Sequence, residues 1–292
     1  MPYLTIPIDA PLAGERAGVI LRRERGVSSD MLNRLRRTEG GILINGVPAR
    51  ANALVQEGDA LSFSITDAPR SEPIPPVALP LSIVYEDDYL LVIDKPAALP
   101  TIPSSLRAGE ASVAGALAYR SGGTLRFHPV SRLDRGTTGL LVAAKYGYIH
   151  DVLRKTLHET LRREYLGVAL GELTPPWGRI DLAIAREEGS LIKRRVAPEG
   201  AEAHTEYETL QTANGFSLLR LRPITGRTHQ LRLHCSAVGH PLAGDFLYGT
   251  EDPALIPRPA LHSAELWLRH PVTGEALHFR SPLPEDMARL LR

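Results

Sequence analysis

The chain has 292 residues, and its 34 lysine and arginine residues against 33 aspartate and glutamate residues give a formal net charge of +1, so binding of nucleic acid through overall charge is excluded. A hydrophobic content of 43% supports a sizeable core and excludes a wholly disordered chain. The single cysteine, Cys235, excludes an intramolecular disulfide framework, and no apolar run reaches the roughly 18 residues of a membrane span. With no signal-peptide pattern at the N-terminus, we expect a cytoplasmic protein with no membrane association.

Residues 1–66 are predicted to form a small separate domain. Helical patterns cover residues 17–25 and 29–38, and Ser29 is the expected N-cap of the second helix. Strand patterns follow at 42–44 and 60–65. Between Leu21 and Arg50 the sequence contains seven arginines and three acidic residues. The local net charge of +4 predicts a modest basic patch.

A proline-rich linker is predicted for residues 67–80, which hold five prolines, and a larger domain for residues 81–292. Its patterns predict an α+β fold with a mixed, largely antiparallel sheet, beside the small N-terminal α/β domain. The expected strands cover residues 81–85, 89–94, 139–144, 163–170, 204–210 and 216–221. The expected helices cover residues 112–120 and 148–162, and a third is capped by Thr228 and ends at Val238.

Asp134 lies between Arg132 and Arg135, just before a turn that leads into the buried strand 139–144. Guanidinium groups this close favour an ionised carboxylate, which suits a nucleophile better than an acid. The alternative for an isolated aspartate beside arginines is a surface salt bridge.

Four arginines with no intervening acid, at positions 220, 222, 227 and 232, predict a phosphate or carboxylate partner. A metal site is the alternative here, because His229 and His234 lie close in sequence. Five residues on a helix turn the chain by a net angle of roughly 140°, so these two side chains do not share a face. We expect no metal, and no cofactor, because no glycine-rich nucleotide motif is present.

Three motifs together resemble those of the RluA-type RNA pseudouridine synthases. They are Arg-Leu-Asp-Arg-Gly-Thr-Thr-Gly at 132–139, Arg-Glu-Tyr-Leu-Gly at 163–167, and Thr-Gly-Arg-Thr-His-Gln-Leu-Arg-Leu-His at 225–234 followed by Gly-His-Pro-Leu-Ala-Gly-Asp at 239–245. Residues 12–66 resemble the S-four-type RNA-binding domain. The resemblance implies a pseudouridine synthase fold and an isomerase that needs no cofactor.

By this resemblance Asp134 is the catalytic residue, Arg232 is its salt-bridge partner and Tyr165 is the active-site tyrosine. Asp134 would act either as a nucleophile at the anomeric carbon or as a base at the neighbouring ribose carbon. Tyr165 would stack on the uracil or handle the proton on carbon-5, although a phenol is a poor base near neutral pH. The residues expected to bind RNA are Arg132, Arg227, His229, Gln230, Arg34, Arg36 and Arg37.

The expected substrate is large-subunit ribosomal RNA, with transfer RNA as the alternative, and the protein is expected to act as a monomer. One rival interpretation is a non-catalytic RNA-binding or ribosome assembly factor, which has no evident need for an arginine-paired carboxylate. Another is a carbohydrate-active enzyme with Asp134 as nucleophile. That chemistry normally requires a second carboxylate, and sugar sites usually carry aromatic residues, which make up only 5% of this chain.

Overall fold

The computed structural model describes residues 2–68, 74–103, 109–123, 126–156 and 160–292. The N-terminal region, residues 2–66, begins with a strand and ends with a strand that pairs to it. Its elements are β1 (Tyr3–Pro7), α1 (Ala17–Arg25), α2 (Ser29–Arg37), β2 (Ile42–Ile44), β3 (Val47–Pro48) and β4 (Ala60–Ser64). The sheet order is β1-β4-β2-β3, and all its pairs are antiparallel.

The predicted helices and strands of this region are confirmed, with one further strand and one correction. The sequence patterns did not indicate β1, which lies at the sheet edge against β4. They also favoured Ser29 as the helix cap, whereas the Ser28 hydroxyl accepts the hydrogen bond from Met31 N at 3.2 Å. Because Ser28 has extended backbone angles and Ser29 is already helical, Ser28 is the N-cap.

A sheet of ten strands dominates the rest of the described chain. Its strands are β5 (Ser82–Glu86), β6 (Leu90–Lys95), β7 (His128–Pro129), β8 (Thr138–Ala144), β9 (Leu161–Leu170), β10 (Trp177–Asp181), β13 (His204–Ala213), β14 (Phe216–Pro223), β15 (Leu261–Arg269) and β16 (Ala276–Arg280). Between β10 and β13 a separate hairpin is formed by β11 (Ile184–Arg186) and β12 (Arg194–Val196). The helices are α3 (Val113–Arg120), α4 (Gly147–Lys155), α5 (Gln230–Ala237) and α6 (Glu285–Ala288).

The order β10-β13-β14-β9-β15-β8-β6-β5 places β8 and β15 side by side near the middle of the sheet, and they form its one parallel pair in the described residues. The other pairs are antiparallel, so the predicted mixed, largely antiparallel sheet is confirmed. None of the helices in the described ranges is long and apolar enough to cross a membrane.

Strand β8 is buried on both faces, which explains its continuous apolar sequence. Leu140 and Val142 pack in a core that also contains Phe63 of the N-terminal region. Leu141 and Ala143 pack on the opposite face, in a core shared with side chains of α3 and α5. The sheet therefore separates the N-terminal region from the side on which α5 lies.

Two predicted helices have different bounds in the structure. The helix expected over residues 148–162 covers Gly147–Lys155, residues 157–159 lie outside the described residues, and Leu161 already belongs to β9. Leu161 pairs with Leu268 of β15, so sheet pairing overrides the helical periodicity there. The helix expected from Thr228 begins at Gln230, and its N-cap is His229 in a left-handed conformation with φ of 57°.

The N-terminal region packs directly on α4. The rings of Phe63 and Tyr148 meet edge to face with centroids 5.3 Å apart, and the Tyr148 hydroxyl donates to Arg25 O at 2.8 Å. Within the predicted linker, residues 69–73 lie outside the described residues. Asp67 accepts hydrogen bonds from Gly147 N at 2.9 Å and contacts His128 Nε2 at 2.6 Å, so this end of the segment is fixed to the larger region.

Candidate active site

A cleft of about 710 Å³ opens beside β9 and the loops that precede β8 and α5. We call it the Asp134 cleft, because Asp134 is the one acidic residue among the described residues that line it. Six arginines also line it: Arg132, Arg163, Arg186, Arg194, Arg227 and Arg232. A cleft with this balance of charge favours a polyanionic ligand over a cation.

The loop that carries Asp134 is fixed by contacts on both sides of the carboxylate. Leu133 N donates to the Thr101 hydroxyl at 3.2 Å, and that hydroxyl donates back to Leu133 O at 2.9 Å. After the loop, Gly139 has φ of 101°, and a Cβ there would lie 2.2 Å from Ser263 O of β15. Only glycine permits this close approach. The side chain of Asp134 is 29% exposed.

Lys95, at the end of β6, supports the same loop from below. Its ammonium group is fully buried and donates to Pro96 O at 2.9 Å, Leu99 O at 2.8 Å and Arg135 O at 3.2 Å. Burial lowers the pKa of Lys95 to about 7, and the charge of Asp134 opposes this effect. The three carbonyls match the three donors of the ammonium form, so Lys95 fixes the backbone next to Asp134.

Arg232, in the first turns of α5, joins two carboxylates. Its Nη1 donates to Asp134 Oδ2 at 3.2 Å, while Nε and Nη2 donate to the two oxygens of Asp245, each at 2.7 Å. Both Arg232 and Asp245 are buried. Burial disfavours the charge of Arg232, but the hydrogen bonds and charges of Asp245 and Asp134 together outweigh burial, so the pKa of Arg232 is raised. The bidentate pair therefore holds the guanidinium in a fixed orientation against Asp134.

Tyr165 lies on β9 and lines the Asp134 cleft, and its ring is 6% exposed in the core that contains Leu133 and Leu231. Its neighbour Glu164 points to the other face of the strand. There it contacts Arg222 at 3.0 Å and Arg220 at 3.2 Å. Of the four arginines expected to bind a phosphate or carboxylate partner, Arg220 and Arg222 are therefore paired with a carboxylate of the protein itself.

The residues expected to bind RNA are distributed unevenly. Arg132 and Arg227 are exposed at the cleft, and Arg227 Nε donates to Glu202 O at 2.9 Å. Gln230 is buried, and both its amide hydrogens are bound, to His204 O at 2.8 Å and to the Thr205 hydroxyl at 3.0 Å. Its side chain therefore shapes the loop. His229 Nε2 lies 3.8 Å from Asp134 Oδ2, next to the carboxylate.

Arg34, Arg36 and Arg37 lie on α2, and no residue of the N-terminal region lines the Asp134 cleft. Other residues of the site were not predicted from the sequence: Lys95, Asp245, Arg186, Arg194 and Tyr248, which contacts His229 at 2.8 Å. Asp245 had a signal, since a buried arginine requires an anion and Asp245 ends the third motif. The described residues contain no group of three or more His, Cys, Asp and Glu side chains able to hold a metal ion.

Comparison with known proteins gives a consistent result across most of the chain. Residues 89–237 match the sequence profile of the family described as RNA pseudouridylate synthase. An uncharacterised RNA pseudouridine synthase of Bacillus subtilis is 35% identical over 272 residues, which cover 92% of this chain and 96% of that protein. The ribosomal large subunit pseudouridine synthase D of Nitrosomonas europaea is 40% identical over 227 residues, which cover 74% of this chain and 65% of that protein.

Solved structures give the same result for the fold. The human RNA pseudouridylate synthase domain containing 1 superposes with a TM-score of 0.58 at 27% identity, over 71% of this chain and 85% of that chain. The human RNA pseudouridylate synthase domain containing 4 superposes with a TM-score of 0.57 over 72% of this chain and 91% of that chain. At 24% sequence identity, that second similarity concerns the fold alone.

Proposed function

The chain belongs to the RNA pseudouridylate synthase family and isomerises uridine to pseudouridine in RNA, and from this premise we propose that Asp134 is its catalytic carboxylate and that large-subunit ribosomal RNA is its substrate. The observation that carries the assignment is the absence of any second acidic residue beside Asp134 in the described lining of the cleft. Within the described ranges it is the one acidic residue lining a cleft with six arginines. The arginines suit the phosphates of RNA, and the carboxylate suits the sugar of the target nucleotide.

The reaction breaks the bond between N1 of uracil and C1′ of ribose and forms a bond between C5 and C1′, while C5 loses a proton and N1 gains one. Cleavage of the glycosidic bond builds positive character at the sugar, which a carboxylate stabilises or captures. Arg232 holds Oδ2 of Asp134, and Oδ1 has no hydrogen-bond partner in the described part of the chain. We assign Oδ1 to the reaction at ribose.

Two routes are open to that oxygen, namely attack on C1′ or removal of the proton from C2′. The second route breaks a C–H bond that the first leaves intact. Deuterium at C2′ of the target uridine should therefore slow the second route and leave the first unchanged. A primary isotope effect in a single turnover would identify Asp134 as a base.

Tyr165 is assigned to the uracil. Its ring lines the Asp134 cleft and is held in the core, so it offers a rigid face for stacking on the base. The target nucleotide has to leave its stack to enter the cleft, and Arg132, exposed at the rim, is placed to occupy the gap. Tyr165→Phe keeps the stacking face. Normal turnover in that variant would eliminate Tyr165 as the group that handles the C5 proton.

The rival carbohydrate chemistry finds little support in this cleft. A glycosidase pairs its nucleophile with a second carboxyl group about 5–9.5 Å away that acts as acid or base. The nearby carboxylate of Asp245 is fully buried and accepts two hydrogen bonds from Arg232. It has no free oxygen with which to serve as an acid for a substrate.

The choice of large-subunit ribosomal RNA follows from the relative that carries this specificity in its name, at 40% identity. The N-terminal region would act as an S-four-like domain whose Arg34, Arg36 and Arg37 hold phosphates. We also propose that the protein acts as a cytoplasmic monomer, in keeping with its one cysteine, buried and unpaired. Sedimentation of the purified protein tests the monomer.

The experiment that tests the function maps pseudouridine in ribosomal and transfer RNA from cells that lack the protein, complemented with wild type or Asp134→Asn. We expect one or more uridines of large-subunit RNA to be modified with wild type alone, because the loss of a catalytic carboxylate lowers turnover by about 10³-fold or more. A uridine of transfer RNA that is modified with wild type alone would identify transfer RNA as the substrate instead. Equal modification by both versions would remove Asp134 from catalysis, and no altered site would favour an assembly factor.

A further inference from the structure

The hydroxyl of Tyr248 lies between the 184–196 hairpin, formed by β11 and β12, and His229. Arg194 N donates to it at 2.9 Å, and His229 Nδ1 lies 2.8 Å from it. The other ring nitrogen of His229, Nε2, faces Asp134 Oδ2 at 3.8 Å. A continuous chain of groups thus runs from the hairpin, through Tyr248 and His229, to the proposed catalytic carboxylate.

The contacts of Tyr248 determine where the protons lie. Its oxygen already accepts the Arg194 N–H, and its own O–H has one acceptor within reach in the described structure, His229 Nδ1. When Nδ1 accepts, a neutral imidazole carries its proton on Nε2. Burial lowers the pKa of His229, so the ring is neutral near pH 7, and burial raises the pKa of Tyr248, so the phenol keeps its proton.

The backbone and the rings hold His229 in this orientation. His229 has φ of 57°, an uncommon conformation for a residue other than glycine, and it is the N-cap of α5. Its ring packs edge to face on Tyr248 with centroids 5.6 Å apart. The guanidinium of Arg232 lies over the same Tyr248 ring, 5.3 Å from its centroid. Strain retained at a residue beside a reactive group indicates a functional constraint.

We propose that Tyr248 is a positioning residue, which fixes His229 with its Nε2–H directed at Oδ2 of Asp134 and makes that orientation depend on the 184–196 hairpin. The proposal rests on the proposed function of Asp134. Arg232 Nη1 and His229 Nε2 then face the same oxygen, so both favour reaction through Oδ1. At 3.8 Å the histidine does not bond to the carboxylate in this structure, and such contacts shorten when substrate is bound.

The hairpin is suited to report the presence of RNA. Arg186 and Arg194 line the Asp134 cleft from its two strands, and Leu191 and Ile192 at its tip are exposed. The backbone of Arg194 contacts Tyr248, and its half-buried side chain lines the cleft with Nη1 donating to Lys193 O at 3.2 Å. A nucleic acid that contacts this strand therefore acts on the residue that orients His229.

If His229 had only a structural role, the turnover rates of its variants would follow a different order from the one that the proposal predicts. Asparagine tolerates the left-handed conformation better than glutamine, so a backbone role predicts that His229→Asn is the more active variant. Only glutamine carries an N–H far enough along the side chain to replace Nε2–H. The proposal therefore predicts that His229→Gln turns over faster than His229→Asn.

The experiment combines imidazole ¹⁵N spectra of the full-length protein with single-turnover rates on a large-subunit ribosomal RNA transcript. We expect His229, identified by the signal that disappears in His229→Gln, to be protonated on Nε2 in wild type and to become a mixture of tautomers in Tyr248→Phe. Tyr248→Phe should lower the single-turnover rate by about tenfold with RNA affinity unchanged. Tyr207→Phe, which loses a hydroxyl bond to Pro175 O outside the cleft, is the matched control and should match wild type.

The proposal is overturned if wild-type His229 is protonated on Nδ1, if Tyr248→Phe leaves its tautomer unchanged, or if His229→Asn is as fast as His229→Gln. A loss of RNA affinity in Tyr248→Phe with the rate unchanged would assign Tyr248 to binding, which also contradicts it. Failure of the proposed function has a different signature: wild type itself forms no pseudouridine in ribosomal RNA. The spectra then still decide whether Tyr248 sets the tautomer of His229.

Discussion

Arginines serve different purposes in the two regions of this protein. On α2 of the N-terminal region Arg36 and Arg37 are exposed and Arg34 is half-buried, and Arg36 Nη1 contacts Asn33 Oδ1 at 3.3 Å. In the Asp134 cleft Arg232 is 3% exposed, with its guanidinium held by two carboxylates. Exposed guanidinium groups contribute long-range attraction that salt screens, whereas buried and paired ones contribute orientation.

This difference between exposed and buried arginines predicts separate effects on the affinity for RNA and on the turnover of bound RNA. Removal of charge from α2 should weaken the binding of RNA and leave the chemistry of bound RNA unchanged. Removal of Arg232 from the cleft should disturb the proposed catalytic carboxylate and the fold together, because its guanidinium contacts both Asp134 and the buried Asp245.

The largest effect is expected for Arg232→Ala. The sequence motifs alone predict that this variant folds, but in the structure it leaves the fully buried Asp245 without its partner, which costs about 3–5 kcal/mol of the free energy of unfolding. Chemical denaturation measures that loss. The control Arg232→Met/Asp245→Leu removes both charges, so we expect most of the stability to return while turnover stays low. Low stability in the double variant would contradict the explanation by an unpaired charge.

Mild acid should destabilise the larger region, which contains every histidine, and should affect the N-terminal region only through its contact with α4. All ten histidines follow residue 127, and burial lowers the pKa of His229, His234 and His262. Below about pH 6.5 these histidines bind protons in the unfolded chain more readily than in the folded chain. Their contribution to the free energy of unfolding is therefore complete above that pH and is lost as the pH falls below it. After correction for intrinsic exchange rates, amide exchange at pH 7.5 and pH 5.5 should show faster opening around α5, and unchanged opening there would contradict the prediction.

The N-terminal arginines give a smaller and salt-dependent effect. Arg34→Ala/Arg36→Ala/Arg37→Ala should weaken RNA binding by about tenfold near 0.1 M salt and reduce the slope of log affinity against log salt by about 0.7 for each phosphate that the variant no longer binds. The single-turnover rate at saturating protein should not change. A control with the same charge change, Arg179→Ala/Arg280→Ala/Arg292→Ala, removes exposed arginines outside the cleft. Equal weakening by both sets would mean that overall charge, not α2, holds the RNA.

The sequence predicted the parts of the fold that local patterns determine. The strand pair predicted over residues 204–210 and 216–221 followed from local patterns, and the structure extends it to 204–213 and 216–223. The start of β9 at Leu161 did not, because its pairing with Leu268 lies more than a hundred residues away in sequence and overrides a helical pattern.

The candidate site was likewise predictable where motifs carry it, and not where it depends on contacts between residues distant in sequence. Motif order placed Asp134, Tyr165 and Arg232 together, and all three line the Asp134 cleft. The contact between Tyr248 and His229 arises from tertiary packing, for which sequence spacing carries no signal, whereas Asp245, the second partner of Arg232, had a signal as the end of the third motif. The left-handed backbone at His229 was also hidden, since the sequence favoured Thr228 as an ordinary helix cap.

The smallest predicted effect tests whether the two regions unfold together. Ser28→Ala removes the acceptor for Met31 N and should lower the stability of α2 by about 1 kcal/mol. Ser29→Ala, at the neighbouring exposed position, removes no cap and serves as the control. Because Phe63 and Arg25 contact Tyr148 of α4, we expect the loss at Ser28 to appear in the unfolding of the whole chain as one transition. Loss confined to an early N-terminal transition, with the remaining unfolding and the turnover unchanged, would show that the contact with α4 does not couple the regions.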